Sequence, residues 1–472
     1  MNAFTKAPES KKRLTLAALF CGLFGSILIS STQSTMLPVA ALEIGGEDIY
    51  SFVATLSGIV SVIVMPLYGY FAARNPAIKP RLFGVSMFLA AAVIFLRSIA
   101  TNMWMIILPG MLYGLASAAI YVIGYSYIRD IYDSKKAAYY LGFVATMQSV
   151  GQIAGPIVGG FIMDHLSWRY LNHLIWPFLL LAGILAMLGV SVKKEDVEEL
   201  CKDVSFDFWG AISLALFLGC FSLALSIGTS FAPFGGLASN MLLLVSLIAL
   251  ISLIFSIKVR KEKAFLPLGV LKERNTLCLA VANLFTNLHT MAAFFFLPMF
   301  AIYVLQTSAT ASGMITSAFA VAGLFMGPVW GKIIGKTGTA KNVYLIGTGI
   351  RIAITIIFIF ILNVNCSIYA IYGLMLVAGL YNSQTGVTFA AAPQLMIREE
   401  NRVMGNSVIQ ICQSVGSTVA VALYTLIIGI FGVEKGIRTA FIISLVFAVI
   451  AFAAGLFMTG PSQKDAAVNG KN

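Results

Sequence analysis

Gly151-Gln152-Ile153-Ala154-Gly155-Pro156-Ile157-Val158-Gly159-Gly160 lies inside a long apolar run. Read as a helix, this stretch puts Gly151, Gly155 and Gly159 at i, i+4 and i+8. They form one bare stripe that a partner helix can approach closely, because no Cβ intervenes. Pro156 has no backbone N–H and its ring crowds the preceding turn, so a bend is expected there. In water the sequence would be a poor helix. In a bilayer the backbone finds no other partner, so helix is retained and neighbouring helices absorb the irregularity.

The composition points the same way. Of 472 residues, 59% are hydrophobic and 11% charged, and the mean hydropathy is +0.92. A soluble domain carries roughly 25% charged residues. Apolar runs lie near 14–40, 50–72, 82–101, 104–127, 138–163, 171–192, 207–229, 237–257, 275–305, 311–334, 343–362, 367–392, 404–431 and 438–459. Each is near the ~20 residues that a bilayer requires. The chain therefore reads as an all-α membrane protein of about fourteen transmembrane helices. Met1 to Arg13 is short, polar and basic and leads into a run long enough to span, so a first helix is expected there and not a removed signal.

The net charge of +12 is a statement about topology. With the amino terminus placed in the cytoplasm, 26 of the 31 Lys and Arg residues fall on the inner segments. The outer side then holds Arg97, Arg169, Lys435 and Arg438, with Arg351 inside a helix. Such asymmetry puts both termini in the cytoplasm of a multi-pass protein of the cell membrane and excludes a nucleic-acid footprint. Six scattered cysteines form no CxxC pair, so neither a disulfide framework nor a metal site is expected.

The chain repeats itself. Pro66-Leu67-Tyr68-Gly69 with Lys79 ten residues on is matched by Pro328-Val329-Trp330-Gly331 with Lys341. Leu37-Pro38 matches Leu297-Pro298, and Gln148-Ser149-Val150-Gly151 recurs as Gln413-Ser414-Val415-Gly416. Three matches in one order, at offsets of 260 to 265, predict two six-helix halves. The runs near 207–229 and 237–257 have no counterpart. The expected organisation is an amino-terminal half over 1–192, a cytoplasmic linker plus two extra helices over 193–262, and a carboxy-terminal half over 263–472.

The Gly155-Pro156 core with Gly159 and Gly160 after it resembles the fifth-helix antiporter motif of the major facilitator superfamily. Ser167-Trp168-Arg169-Tyr170 with Pro177 is similar to the fourteen-helix drug:proton antiporter branch, and the resemblance covers nearly the whole chain. It implies the superfamily's fold of two six-helix halves, here with two extra central helices, and proton-coupled efflux by alternating access. Departures stand beside it. The family's loop Asp falls on Ala73 and, in the second half, on Gly335; its fourth-helix Arg falls on Gly110; the branch's first-helix acid falls on Ile29.

Nothing in the acidic residues replaces these charges, since all nineteen lie at helix ends or in loops. Within the membrane the chain places Arg351 and His289 instead. His289 shares the ninth helix with Asn283, Thr286, Asn287 and Thr290. Two roles are open to it, a structural donor and a proton carrier, because His alone has an ordinary pKa near 6.5. Arg351 lies about ten residues, or ~15 Å, into the eleventh helix. It either snorkels to the interface or lines the route as an anion-binding cation.

By resemblance the first, fourth, ninth and twelfth helices line the central cavity. At mid-depth they carry Gln33, Tyr113 and Tyr121, Asn287 and His289, and Tyr381-Asn382-Ser383-Gln384. Gln148, Gln152, Gln410 and Gln413 add amides from the fifth and thirteenth. Amides and phenols among Phe and Met suit a small amphipathic organic compound. The predicted substrate-binding set is Gln33, Tyr113, Tyr121, Asn287, His289, Arg351, Asn382 and Gln384. Gly151, Gly155, Pro156, Gly159 and Gly160 form the conformational motif, and His289 the proton site. The expected partners are the substrate, the proton and the lipid bilayer, with no cofactor. Organic-anion uptake or exchange is the rival reading, motivated by Arg351 and the missing acids. Three scattered histidines and no paired buried carboxylates argue against an enzyme. No selectivity-filter repeat argues for a channel, and no GxxxxGK[ST] sequence for ATP-driven transport.

Overall fold

The computed structural model describes residues 6–47, 49–132, 134–192, 207–226, 236–261, 268–337, 339–398 and 401–459, with residues 4, 195 and 264. Among them the regular structure is helical and no strand occurs. In chain order the helices are α1 (Glu9–Ile44), α2 (Phe52–Arg74), α3 (Lys79–Ser98), α4 (Trp104–Ala119), α5 (Tyr125–Ile131), α6 (Ser134–His165) and α7 (Trp168–Leu188). There follow α8 (Phe208–Ser226), α9 (Leu237–Arg260), α10 (Arg274–Tyr303), α11 (Ala309–Thr337), α12 (Lys341–Ile361), α13 (Ile368–Met396), α14 (Arg402–Phe431) and α15 (Val433–Leu456). A π-helical turn, Ile120–Gly124, joins α4 to α5 as one span, so each predicted apolar run corresponds to one helical segment.

Among the described residues, twelve segments are long and apolar enough to cross a membrane. α6 and α13 have 32 and 29 residues, and the polar Tyr381–Gln384 stretch lowers the hydropathy of α13. Proline does not end these helices: Pro38, Pro156, Pro298, Pro328 and Pro393 all lie inside continuous ones. In lipid an interrupted helix has no water to satisfy it, so the backbone keeps every bond it can. The charged linker expected from Lys193 to Asp207 lies outside the described residues, Glu195 and Asp207 excepted.

The chain divides into two compact units. One comprises Met1–Ala215 with Ser308–Gly313, the other Leu216–Thr307 with Met314–Asn472. The short segment joins the first unit through Asp164 at the end of α6. Its carboxylate accepts the backbone N–H groups of Ala309 and Thr310 and the Thr310 hydroxyl, at 2.7, 2.8 and 2.5 Å. An anion on unsatisfied N–H groups is the favourable partner for a helix start.

The glycine stripe behaves as its spacing predicts. A Cβ on Gly151, Gly155 or Gly159 would stand 2.1 Å from Ile27 Cγ2, 2.2 Å from Ser31 Oγ and 2.6 Å from Thr32 Cγ2, all on α1. The sequence repeat is also a repeat of helix crossings. In the first unit Gly114 of α4 rests on the Ser57 carbonyl of α2; in the second, Gly379 of α13 rests on the Phe319 carbonyl of α11. Likewise Gly416 seats α14 on α10, at the Leu284 carbonyl, where Gly151 seats α6 on α1. The duplicated glycines mark duplicated close approaches.

Candidate functional site

In the second unit, α12 turns Gly347, Thr348, Arg351, Ile354 and Thr355 inward, while Ile346, Ile356, Ile357 and Phe360 face outward. Arg351 is 0% exposed. It does not snorkel. Its Nη1 donates to the Thr286 carbonyl (3.0 Å), to His289 Nδ1 (3.1 Å) and to Thr290 Oγ1 (2.8 Å). Nη2 donates to Thr385 Oγ1 at 2.7 Å. The guanidinium carbon sits 4.4 Å from the centre of the Tyr381 ring, a contact worth ~2 kcal/mol or more when water is excluded.

Three threonines make this possible. Thr290 donates its hydroxyl hydrogen to the Thr286 carbonyl, Thr385 to that of Tyr381 and Thr355 to that of Arg351, at 2.7 to 2.8 Å. Each hydroxyl hydrogen is thus used on its own helix, which leaves the oxygen lone pairs facing inward as acceptors. The same inventory decides the histidine. His289 Nε2 lies 2.7 Å from Thr355 Oγ1, whose hydrogen is already committed, so Nε2 is the donor. Nδ1 is then bare and accepts from Arg351. His289 is a neutral imidazole in contact with a cation, 2% exposed, with Tyr381 edge-on at 5.9 Å.

Among the described residues no carboxylate pairs with Arg351. The charge is held by neutral groups alone. A buried cation normally demands an anion or dense hydrogen bonding, and this one has the second without the first.

The other predicted residues are less concentrated. Asn287 is half-buried and donates to Asn283 O and Oδ1, at 2.8 and 2.9 Å; its own Oδ1 accepts from Ser417 of α14. Gln384 is fully buried against Gly347 and donates to Thr388 at 2.8 Å. Asn382 is half-buried on the same helix.

In the first unit Tyr113 donates to Ser26 Oγ of α1 at 2.9 Å, and Gln33 is half-buried. Tyr121 belongs to the π turn, and its side chain lies outside the described set. The neighbouring hydroxyls of Ser30, Ser31 and Thr32 bond carbonyls of their own helix, and Ser31 and Thr32 lie under the glycine stripe. Tyr381 with Thr286 and Thr290 was legible from the sequence, whereas Thr355 and Thr385 were not singled out. The available signal was spacing: Thr355 follows Arg351 by one helical turn.

Two further motif residues acquire structural roles. Glu43 at the end of α1 accepts from Trp168 Nε1 (2.8 Å) and from Arg169, which also reaches the Ala100 carbonyl (3.0 Å). Ser-Trp-Arg-Tyr thereby ties the ends of α1 and α3 to the start of α7. Lys79 forms an ion pair with Asp130 at 2.5 Å, while its repeat partner Lys341 takes the Leu456 carbonyl. Arg97, counted above as an outer charge, is buried in the last turn of α3 at 2% exposure.

A family model for the Major Facilitator Superfamily matches residues 19–274 and 279–471. The chain belongs to the Major Facilitator Superfamily. Similar sequences include the multidrug transporter protein MdtP of Bacillus subtilis, 22% identical over 73% of this chain and 62% of that one. The multidrug efflux pump SdrM of Staphylococcus aureus is 23% identical over 89% and 92%. The match thus spans somewhat less than two thirds of the Bacillus protein. Among solved structures, a POT family transporter in complex with a thioalcohol-conjugated peptide has a TM-score of 0.69 at 12% identity, covering 94% of this chain and 96% of that one. The nucleoside transporter NupG gives 0.67 at 11%, covering 94% and 100%. At these identities the likeness shows the superfamily fold. The protein is a multi-pass membrane member of it, and nothing in its membership points to an enzyme.

Proposed function

We propose that the protein is a secondary active transporter that exports a small amphipathic organic compound by alternating access, in exchange for protons. The two duplicated units supply the halves that such a cycle requires, with the extra helices α8 and α9 between them in sequence. Relatives named as multidrug transporters support export. The proposed setting is the cell membrane with both termini in the cytoplasm, as the Lys and Arg distribution favours.

The observation that carries the substrate reading is Arg351. A cation buried among neutral donors and acceptors repels a permanent cation. It favours a neutral amphipath or a carboxylate or sulfonate, since charge-assisted hydrogen bonds are roughly twice as strong as neutral ones. The proposed contacts are Arg351, His289, Asn287, Asn382 and Gln384 in the second unit and Gln33, Tyr113 and Tyr121 in the first. His289 is the proposed proton carrier. Gly151, Gly155, Pro156, Gly159 and Gly160 are the proposed conformational face. The same arginine favours a second reading, proton-coupled uptake or exchange of an organic anion.

Proteoliposomes carrying an internal pH dye, challenged with cationic, neutral and anionic amphipaths, test both. Neutral or anionic compounds moving protons against their own flux support exchange; proton movement with an anion supports the second reading. Tetraphenylphosphonium-type cations moved with the same kinetics by wild type and Arg351→Gln defeat the charge argument.

A further inference from the structure

Two atoms in the Arg351 cluster are left over, and they are complementary. Arg351 Nε is a buried donor without an acceptor, and Gln384 Oε1 a buried acceptor without a donor. Buried polar atoms are nearly always paired. Both orphans belong to one neighbourhood, since Thr385, adjacent to Gln384 in sequence, already holds Arg351 Nη2. Gln384 also lies against α12 one turn before Arg351: a Cβ on Gly347 would stand 2.2 Å from Oε1. A helical side chain leans toward the helix N-terminus, which carries the arginine stem over that same turn.

His289 completes the geometry. Its one free lone pair, on Nδ1, is occupied by Arg351, and Nε2 is committed to Thr355. An arriving proton has one place to go. Once it binds Nδ1, both ring nitrogens are donors, and the guanidinium faces a like charge where it had an acceptor. Titratable groups near this helix are Arg351 and Tyr344 of α12, Tyr381 of α13 and Tyr424 of α14, the last donating to the Leu288 carbonyl. The charges of α15 (Glu434, Lys435, Arg438) fall in its first two turns and that of α14 (Arg402) at its first residue, while Lys272 precedes α10. Among the described residues no carboxylate faces the ring.

We propose that Arg351 is a two-position switch: its guanidinium and a proton are mutually exclusive ligands of His289 Nδ1, and Gln384 Oε1 is the acceptor of the second position. This rests on the reading of His289 as proton carrier. A proton from water binds the Nδ1 lone pair, the Nη1···Nδ1 hydrogen bond breaks, and the guanidinium turns toward α13. Nothing is oxidised or reduced, and the cluster gains one positive charge. That charge needs water or an anion beside it, so the second position belongs to a conformation in which the cluster is reached from outside the unit.

Replacing the exposed His165 and His173 by Gln leaves His289 as the one remaining histidine of three. In this background the full chain, labelled with 15N-histidine in lipid nanodiscs, is read by NMR for which ring nitrogen carries hydrogen. The expected state at about pH 8 is hydrogen on Nε2 and a bare Nδ1, with the proton entering at Nδ1 on acidification. Gln384→Leu lowers proton occupancy about tenfold at a given pH, the weight of one hydrogen bond to a charged group. In an Arg351→Gln background the same change has no effect. If Gln384→Leu lowers folded yield, Gly347→Ala displaces the same amide oxygen and gives the same readout. Hydrogen on Nδ1 at about pH 8, or an equal Gln384→Leu effect with and without Arg351, overturns the switch. The ring is read directly, so loss of proton-coupled transport in vesicles would sink the functional reading and leave the switch standing.

Discussion

At the scale of single residues, the second unit solves the problem of a buried cation with hydroxyls and an imidazole where most proteins use a carboxylate. The hydrogen bonds from Arg351 to Thr290 and Thr385 compensate its desolvation, so removing one acceptor leaves charge exposed to a dry interior. Thr385→Val is expected to lose about 1.5–3 kcal/mol, the range for a hydrogen bond to a charged group. Arg351→Met removes the charge itself and leaves the neutral acceptors of Thr290, Thr385 and His289 without their donor, a smaller penalty than a buried charge short of an acceptor. Thermal unfolding in detergent should therefore rank Arg351→Met above Thr385→Val in stability. The reverse order would mean that Arg351 holds the unit together by attraction to something the cluster lacks. In transport, Arg351→Gln is expected to weaken an anionic substrate about tenfold more than its neutral analogue, measured by competition.

Among helices, the decisive contacts are made where side chains are missing. Gly155 meets Ser31 Oγ, the end of a small side chain, whereas Gly416 meets the Leu284 carbonyl. Backbone cannot step aside. Gly416→Ala should therefore cost ~1–3 kcal/mol through overpacking, with no single side-chain change able to restore it. Gly155→Ala should cost less and be rescued by Ser31→Ala, as read by the melting temperature of the purified protein. Gly155→Leu is expected to abolish transport while membrane insertion persists, because the larger side chain holds α6 off α1. Normal transport by that variant would show the stripe to be a passive small face.

For the molecule as a whole, the duplicated crossings predict that each six-helix set is self-sufficient. The pair α8 and α9 packs on itself through Ser239 to Ala224 and Ser246 to Phe217, and Phe221 and Leu225 of α8 touch a small cluster on α14 around Ala422 and Leu426. Deleting 207–257 behind a short linker keeps the number of remaining crossings even. The expected outcome is lower yield with a six-plus-six core that still assembles, measured by gel filtration and limited proteolysis. Collapse of the core to protease-sensitive fragments would assign the pair an essential place.

Helix number, the repeat and the glycine stripe were legible in the chain because the bilayer enforces them: length, apolarity and Cβ absence each have one consequence in lipid. His289 and Arg351 stood out for the same reason, as ionisable groups where charge is costly. What tertiary structure alone decided was their relation. Arg351 could reach the interface or turn inward, and its burial depends on which face of α12 packs. The tautomer of His289 depends on Thr355, 66 residues away in sequence, and the acceptors on α13 come from a third helix. Spacing along one helix reveals which residues share a face; it carries no information about which face of another helix arrives opposite. Hydrogen-bond complementarity across helices is a property of packing, and that is where the candidate site was made.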